Sequence, residues 1–226
     1  MNTHSRKNML WGGLALFVVV VLIALAKMSG PQSADVPGDN GAAIAAVTED
    51  EHIKGNPEAP VTIIEYSDFQ CPACAAMYPR VKAITRDFSD DVRFVYRHFP
   101  LTQIHPNAQL AGQASEAADM QGTFWEYHDL LFERQNDWAQ LRGGDVEDFF
   151  VGLAGELELD TEKFRQDMES REARTAVVED SRDAAAANLP GTPTFFMNGE
   201  IIATPTTYDA FATLIRDELQ RQETSS

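Results

Sequence analysis

The distribution of β-forming residues constrains this chain most. Two runs rich in β-branched and aromatic residues, "VTIIEY" at 61–66 and "VRFVY" at 92–96, flank a stretch of helical periodicity. In that stretch Met77, Val81, Ile84 and Phe88 form one apolar stripe, which predicts a helix over 72–88 kinked at Pro79. Beyond Phe99-Pro100 the β signal vanishes, and four stretches between 105 and 189 read as helices, the last of them continuous over 160–189. Strand character returns in "TFFMNG" (194–199) and "EIIAT" (200–204), where Asn198-Gly199 predicts a hairpin turn. A closing helix carries Tyr208, Phe211, Leu214, Ile215 and Leu219 on one face, after a capping-box-like Thr206-x-x-Asp209. Without the helical block, a βαβ unit is followed by ββα, a small layered α/β domain with an insertion at about 105–189.

The N-terminus sets the compartment. Residues 9–26, "MLWGGLALFVVVVLIALA", are uncharged and follow Arg6 and Lys7. At about 1.5 Å per residue such a helix nearly spans a ~30 Å hydrocarbon core. Residues 1–27 are therefore expected to be a single-pass anchor in the cytoplasmic membrane, with the bulk of the chain on the extracytoplasmic (periplasmic) side. The alternative is a signal segment cleaved after Ala26, leaving a secreted or periplasmic protein. Residues 28–51 are poor in large apolar residues and read as a flexible linker to a domain over 52–222. The chain holds 18 Lys and Arg against 35 Asp and Glu, a net charge of −17. Such a surface repels phosphate backbones, so no nucleic-acid partner is expected.

Both of the chain's 2 cysteines lie in "SDFQCPACAAMYP", residues 67–79. A zinc site needs at least three protein ligands, and no second C-x-x-C exists. The 5 histidines show no H-x-x-x-H-like spacing, so no metal site is expected. A structural disulfide would close too small a loop to stabilise much. A redox pair fits, because C-x-x-C after a strand opens a helix whose unpaired N–H groups favour a thiolate. Cys71 at the cap is the expected nucleophile and Cys74, one turn inside, the resolving thiol. Pro72 suits the first helical position. His98 reads as a packed strand-end histidine, and Phe124, Trp125 and Tyr127 as core.

"YSDFQCPAC", "YRHFPL", "HPNA", "GTFWEYHDLLFE" and "GTPTFFMNG" together resemble the DsbA-like branch of the thioredoxin superfamily, in its membrane-anchored single-domain form, over about 52–222. The resemblance implies a thioredoxin-like fold with a helical insertion between its βαβ and ββα parts. It implies that Cys71 and Cys74 are the redox pair, and that Pro193 is a cis-proline facing them with Thr192 before it. There a substrate segment could pair along the strand edge. Glu65 matches a buried acid that influences proton transfer; the alternative for it is a solvated acid on an edge strand. Pro72-Ala73 lacks the histidine of strongly oxidising members, and no dimerisation domain precedes the fold.

These features lead us to expect an exported, monomeric thiol–disulfide oxidase without a dissociable cofactor. Its expected partners are reduced or unfolded exported proteins and a quinone-linked membrane thiol oxidase that reoxidises it. A reductase or isomerase of the same fold is the first alternative, and a tethered chaperone or binding module the second.

Overall fold

A computed structural model describes residues 44–225. The proposed anchor and most of the linker lie outside the described residues, among which no helix is long and apolar enough to cross a membrane. Five strands form one sheet in the order β1-β3-β2-β4-β5. Strands β2 (Val61–Ser67) and β3 (Val92–His98) run parallel, so the chain must cross over between them, and α1 (Pro72–Asp87) provides that crossover. Nearly every residue of both strands is buried, which explains why β-branched and aromatic residues recur on both of their faces. The hairpin β4 (Thr194–Met197) and β5 (Glu200–Ile202) adds to the other side of β2, antiparallel. Asn198 (φ 48°) and Gly199 (φ 86°) make its two-residue turn as the sequence predicts.

One strand escapes the sequence reading. β1 (His52–Gly55, "HIKG") pairs antiparallel with β3 at the sheet edge, and is too short and too polar to stand out. It stops at Gly55, with φ +88°, where a Cβ would lie 2.3 Å from the Val92 carbonyl oxygen. Only glycine fits there.

The insertion comprises α2 (Ala108–Asp119), α3 (Phe124–Glu133), the short α4 (Gln135–Trp138), α5 (Gly144–Glu156), α6 (Thr161–Met168) and α7 (Arg171–Ala186). The stretch 160–189, expected as one helix, is two. Asp160 accepts hydrogen bonds from the Glu162 and Lys163 amides, and Ser170 accepts one from Ala173, so each side chain opens its own helix. α2 is the buried axis of the block, and its small residues permit close approach. A Cβ at Gly112 would sit 3.0 Å from Val177 and 3.2 Å from His98 Nδ1. The closing helix α8 (Tyr208–Ser225) buries Phe211 and Ile215. Its cap is Thr207, whose hydroxyl accepts from the Ala210 amide at 3.1 Å, one residue later than the capping box proposed at Thr206. α1 continues through Pro79 as a single helix.

Alternating strand residues serve two cores. Ile63, Phe94, Tyr96 and Phe195 face α1, α8 and the insertion, whereas Ile64, Tyr66, Val95 and Phe196 face Ala184 of α7. The second face also holds Ile44 and Val47, residues that composition assigns to the linker. Their neighbourhood is organised by Arg97, 3% exposed in β3. Its guanidinium donates to both oxygens of Glu51 (2.8 and 2.9 Å), to Asp183 Oδ2 (3.0 Å), to the Tyr66 hydroxyl (2.7 Å) and to the Ala45 carbonyl (3.0 Å). A buried cation needs such partners, and they draw residues 44–51 onto the domain. Arg97→Ala would strand Asp183 and Glu51 without their counter-charge, at a cost of about 3–5 kcal/mol. Thermal unfolding should show a Tm lower by roughly 6–20 °C; an unchanged Tm would show that the network is dispensable.

Candidate active site

The cysteines stand where β2 hands over to α1. Cys71 is the N-cap, with extended backbone (φ −72°, ψ 122°), and Pro72 opens the helix. No side chain caps this N-terminus and no acid lies in its first turn, so the helix dipole is uncompensated at Cys71. Cys71 is 6% exposed and Cys74 fully buried, which leaves Cys71 the more accessible thiol.

The turn that presents Cys71 is tied down by groups the sequence reading does not single out. The Asp68 carboxylate accepts from the Gln70 amide (2.7 Å) and the Leu101 amide (2.9 Å), and pairs with His105 Nδ1 (2.7 Å). Gln135, in α4, donates from one amide nitrogen to the carbonyls of Phe69 (2.7 Å) and Cys71 (3.0 Å). Gln70 donates to Ala139 and accepts from the Asn107 amide, both at 2.7 Å. The Asp68-x-Gln70 contact is a local turn that its spacing could have indicated. Gln135 lies too far along the chain for any such signal.

Thr192–Pro193, just before β4, is a cis peptide bond facing the cysteines, as the resemblance implies. The Thr192 carbonyl lies 3.6 Å from Cys71 Sγ, within reach of a thiol donor. The Thr192 hydroxyl is buried and makes no hydrogen bond, which leaves it free to turn toward a Cys71 thiolate. Glu65 is no solvated edge residue. It is 4% exposed on the central strand β2, between Tyr96 of β3 and Phe195 of β4. The Ser67 hydroxyl donates to its Oε1 at 2.8 Å and also reaches Cys74. Thus Cys74, Ser67 and Glu65 form a continuous polar path under the helix start. His98 is packed, as expected, with Nε2 2.7 Å from Glu116 Oε1.

The two thiols are driven apart in acidity. The Cys74 thiol, donating to Cys71, does most to lower the Cys71 pKa; burial opposes this, and the Thr192 hydroxyl and the Cys74 and Ala73 amides add to it. Burial pushes Cys74 well above its ordinary value, and its hydrogen bond to Cys71 and the nearby Glu65 charge act in the same direction. Burial likewise raises Glu65 to about 7, against the hydrogen bond from Ser67. The arrangement holds one thiolate near the surface, one thiol beneath it, and a carboxyl able to exchange a proton near neutrality.

Two measurements follow from this gradient. In the reduced protein at pH 6, iodoacetamide should label Cys71 ahead of Cys74; the reverse order by peptide mapping would refute the assignment. Glu65 has a folded pKa of about 7 above its ordinary 4.5, so the folded state holds the extra proton between these values. The Glu65 contribution to stability should therefore fall as pH rises from 4.5 to 7 and then level off. Glu65→Gln should remove this contribution, so its gain over the parent should grow from pH 4.5 to about 3 kcal/mol at pH 8, read as the difference between the two reduced proteins in urea unfolding.

Comparison with known proteins agrees with this geometry. A family model described as Thioredoxin matches residues 47–217. Among solved structures, BdbD from Bacillus subtilis (oxidised) superposes with a TM-score of 0.68 at 27% identity, covering 80% of this chain and 100% of that one. A thioredoxin-like oxidoreductase from Silicibacter pomeroyi gives 0.62 at 25%, covering 79% and 95%. Alpha-DsbA1 from Wolbachia pipientis shares the fold, with a TM-score of 0.67 at 18% identity over 79% and 96%. By sequence, the chain is 44% identical over 149 residues to a protein named Na(+)/H(+) antiporter NhaA 1 from Salinispora arenicola, covering 66% of this chain and 22% of that protein. A protein of the same name from Mycolicibacterium gilvum is 41% identical over 170 residues, covering 74% and 26%. The match thus spans about a quarter of these relatives' length.

Proposed function

Given that the chain belongs to the DsbA-like branch of the thioredoxin superfamily, we propose that it is a thiol–disulfide oxidoreductase that forms disulfides in exported proteins. The observation that carries the oxidising direction is the stabilised Cys71 thiolate over a buried Cys74 thiol. Whatever stabilises the reduced pair makes its disulfide a stronger oxidant.

The reaction begins with the pair oxidised. A substrate thiolate attacks Cys71 Sγ, the Cys71–Cys74 bond breaks, and Cys74 leaves with the electron pair. Burial disfavours a thiolate there, and protonated Glu65 supplies a proton through Ser67. A second substrate thiolate then attacks the substrate sulfur of the mixed disulfide. Cys71 departs as a thiolate, received by the Thr192 hydroxyl and the helix amides. The substrate gains a disulfide and the enzyme holds two reduced sulfurs. The segment before β4, with Thr192 beside Cys71, is the proposed docking edge for an extended substrate.

Reoxidation requires an electron acceptor, for which a quinone-linked membrane thiol oxidase is the proposed partner. Residues 9–26 are the proposed anchor that keeps the domain beside it on the extracytoplasmic face. Relatives in which a similar stretch forms part of an antiporter polypeptide are consistent with work at a membrane. The antiporter activity itself belongs to proteins about four times the matched length.

A redox titration against glutathione decides the direction. A potential nearer about −120 mV, that of DsbA, supports the oxidase, and one nearer about −270 mV, that of thioredoxin, overturns it in favour of a reductase. Cys74→Ser, first converted by oxidised glutathione to its Cys71–glutathione mixed disulfide, should release glutathione and trap a mixed disulfide with reduced ribonuclease, and Cys71→Ser should not. Oxidation of ribonuclease by a variant lacking both thiols would reject thiol chemistry altogether.

A further inference from the structure

Away from the cysteines, three elements converge on a cluster that the thiol chemistry does not use. His52 of β1, His98 at the end of β3 and Glu116 of α2 place one ligating atom each within 4.8 Å of one another. Glu116 Oε1 stands 2.6 Å from His52 Nε2 and 2.7 Å from His98 Nε2. His98 is 2% exposed and Glu116 7%. The residues are 46 and 18 positions apart in sequence, so no motif spacing announces them.

His52 and Glu116 open on a cavity lined also by the carboxylates of Asp50, Glu51, Asp119, Glu179 and Asp180, with no Lys or Arg among its lining residues. Tyr96 lines the same cavity; it is 1% exposed and its buried hydroxyl has no hydrogen-bond partner. A hydrogen-bonded His–Glu–His triad accounts for the three central side chains alone. It leaves the cavity's negative charge, of which the Arg97 pair with Glu51 offsets only a part, and a bound cation supplies the remaining counter-charge.

We propose that His52, His98 and Glu116 form a binding site for a divalent transition-metal ion of the zinc class, with water in its remaining open position. Two imidazoles and one carboxylate are the donors that zinc-like ions take, whereas calcium and magnesium select oxygen alone. At bond lengths of about 2.0–2.1 Å, tetrahedral donors stand ~3.3 Å apart, so Glu116 need draw back only slightly from each ring. The ion displaces the protons now shared among the three groups, and these pass to solvent. The ring of His52 is fixed in advance. It stacks on Phe124 with centroids 3.5 Å apart and an interplanar angle of 6°, and its Nδ1 faces Asp119 Oδ1 at 3.6 Å. A carboxylate behind a ligating imidazole is the usual orienting arrangement. The ion would clasp the edge strand, the central sheet and the insertion together, stabilising the domain without touching the thiols.

The test uses the full chain carrying Cys71→Ser and Cys74→Ser, so that no thiolate can bind zinc, stripped with a chelator and titrated calorimetrically with zinc chloride. One equivalent should bind, raise the Tm, and resist displacement by a large excess of calcium. His52→Gln and Glu116→Gln should abolish stoichiometric binding, and Asp119→Asn should weaken it by about 10–100-fold. Zinc-edge X-ray absorption on the same protein without these ligand substitutions should report two imidazole ligands, which covers the case of a variant that fails to fold. Absence of stoichiometric uptake, uptake unchanged in a folded His52→Gln, a spectrum without imidazole, or displacement by calcium would each overturn the proposal.

Discussion

The Asp68 carboxylate, with no exposed side-chain surface, holds the turn on which the site depends. A buried carboxylate is tolerable only when its oxygens are occupied, and here two amides and an imidazole occupy them. Those donors come from the Cys71 turn and from the segment that follows β3. Satisfying one charge therefore fixes both segments at once. Cys71 then follows, because its own amide donates to the Asp68 carbonyl at 3.0 Å. Had Asp68 been exposed, the same turn could have adopted several shapes, and the helix would have had no fixed starting residue.

The helical insertion takes part in the same construction. Gln135 satisfies the Phe69 carbonyl and adds a second hydrogen bond to the Cys71 carbonyl, which also accepts from the Ala75 amide. Asn107 and Ala139 secure Gln70. Phe69 stacks on Tyr96 at 5.1 Å and leans on Phe132 at 5.0 Å, linking the sheet to α3. The insertion thus forms one wall of the redox turn, and a smaller thioredoxin-like domain would need other donors for these carbonyls.

What was legible in the sequence divides along physical lines. Local signals read well: the Cys-Pro-Ala-Cys helix start, the Asn198-Gly199 turn, and the β-branched and aromatic residues of β2 and β3. Failures came where a tertiary partner overrides composition. β1 is held by its pairing with β3 and by the close approach at Gly55, and its four residues carry little strand character. Residues 44–51 read as linker because nothing in them shows that Arg97 will seek their oxygens. Residues 160–189 read as one helix because a capping serine looks like any surface serine, and only the fold shows Ser170 accepting from the Ala173 amide. Glu65 was open to two readings until the hairpin was seen to lie beyond β2, which makes that strand central. Asp68 and Gln135 also have partners that only the fold brings near, Leu101 and His105 for the first, Phe69 and Cys71 for the second.

The attachment of residues 44–51 has a mechanical meaning. A strand such as β1, tugged along its edge, would peel from β3 one bond at a time, at low force. Load arriving at residue 44 meets the Arg97 clasp first. There the Ala45 carbonyl, the Ala45 amide on Asp183 and both oxygens of Glu51 resist together. Bonds loaded in parallel share the force, so the domain's leading end is knotted before its seam begins. A domain hung from its N-terminal side could be jostled and pulled without its sheet beginning to unzip.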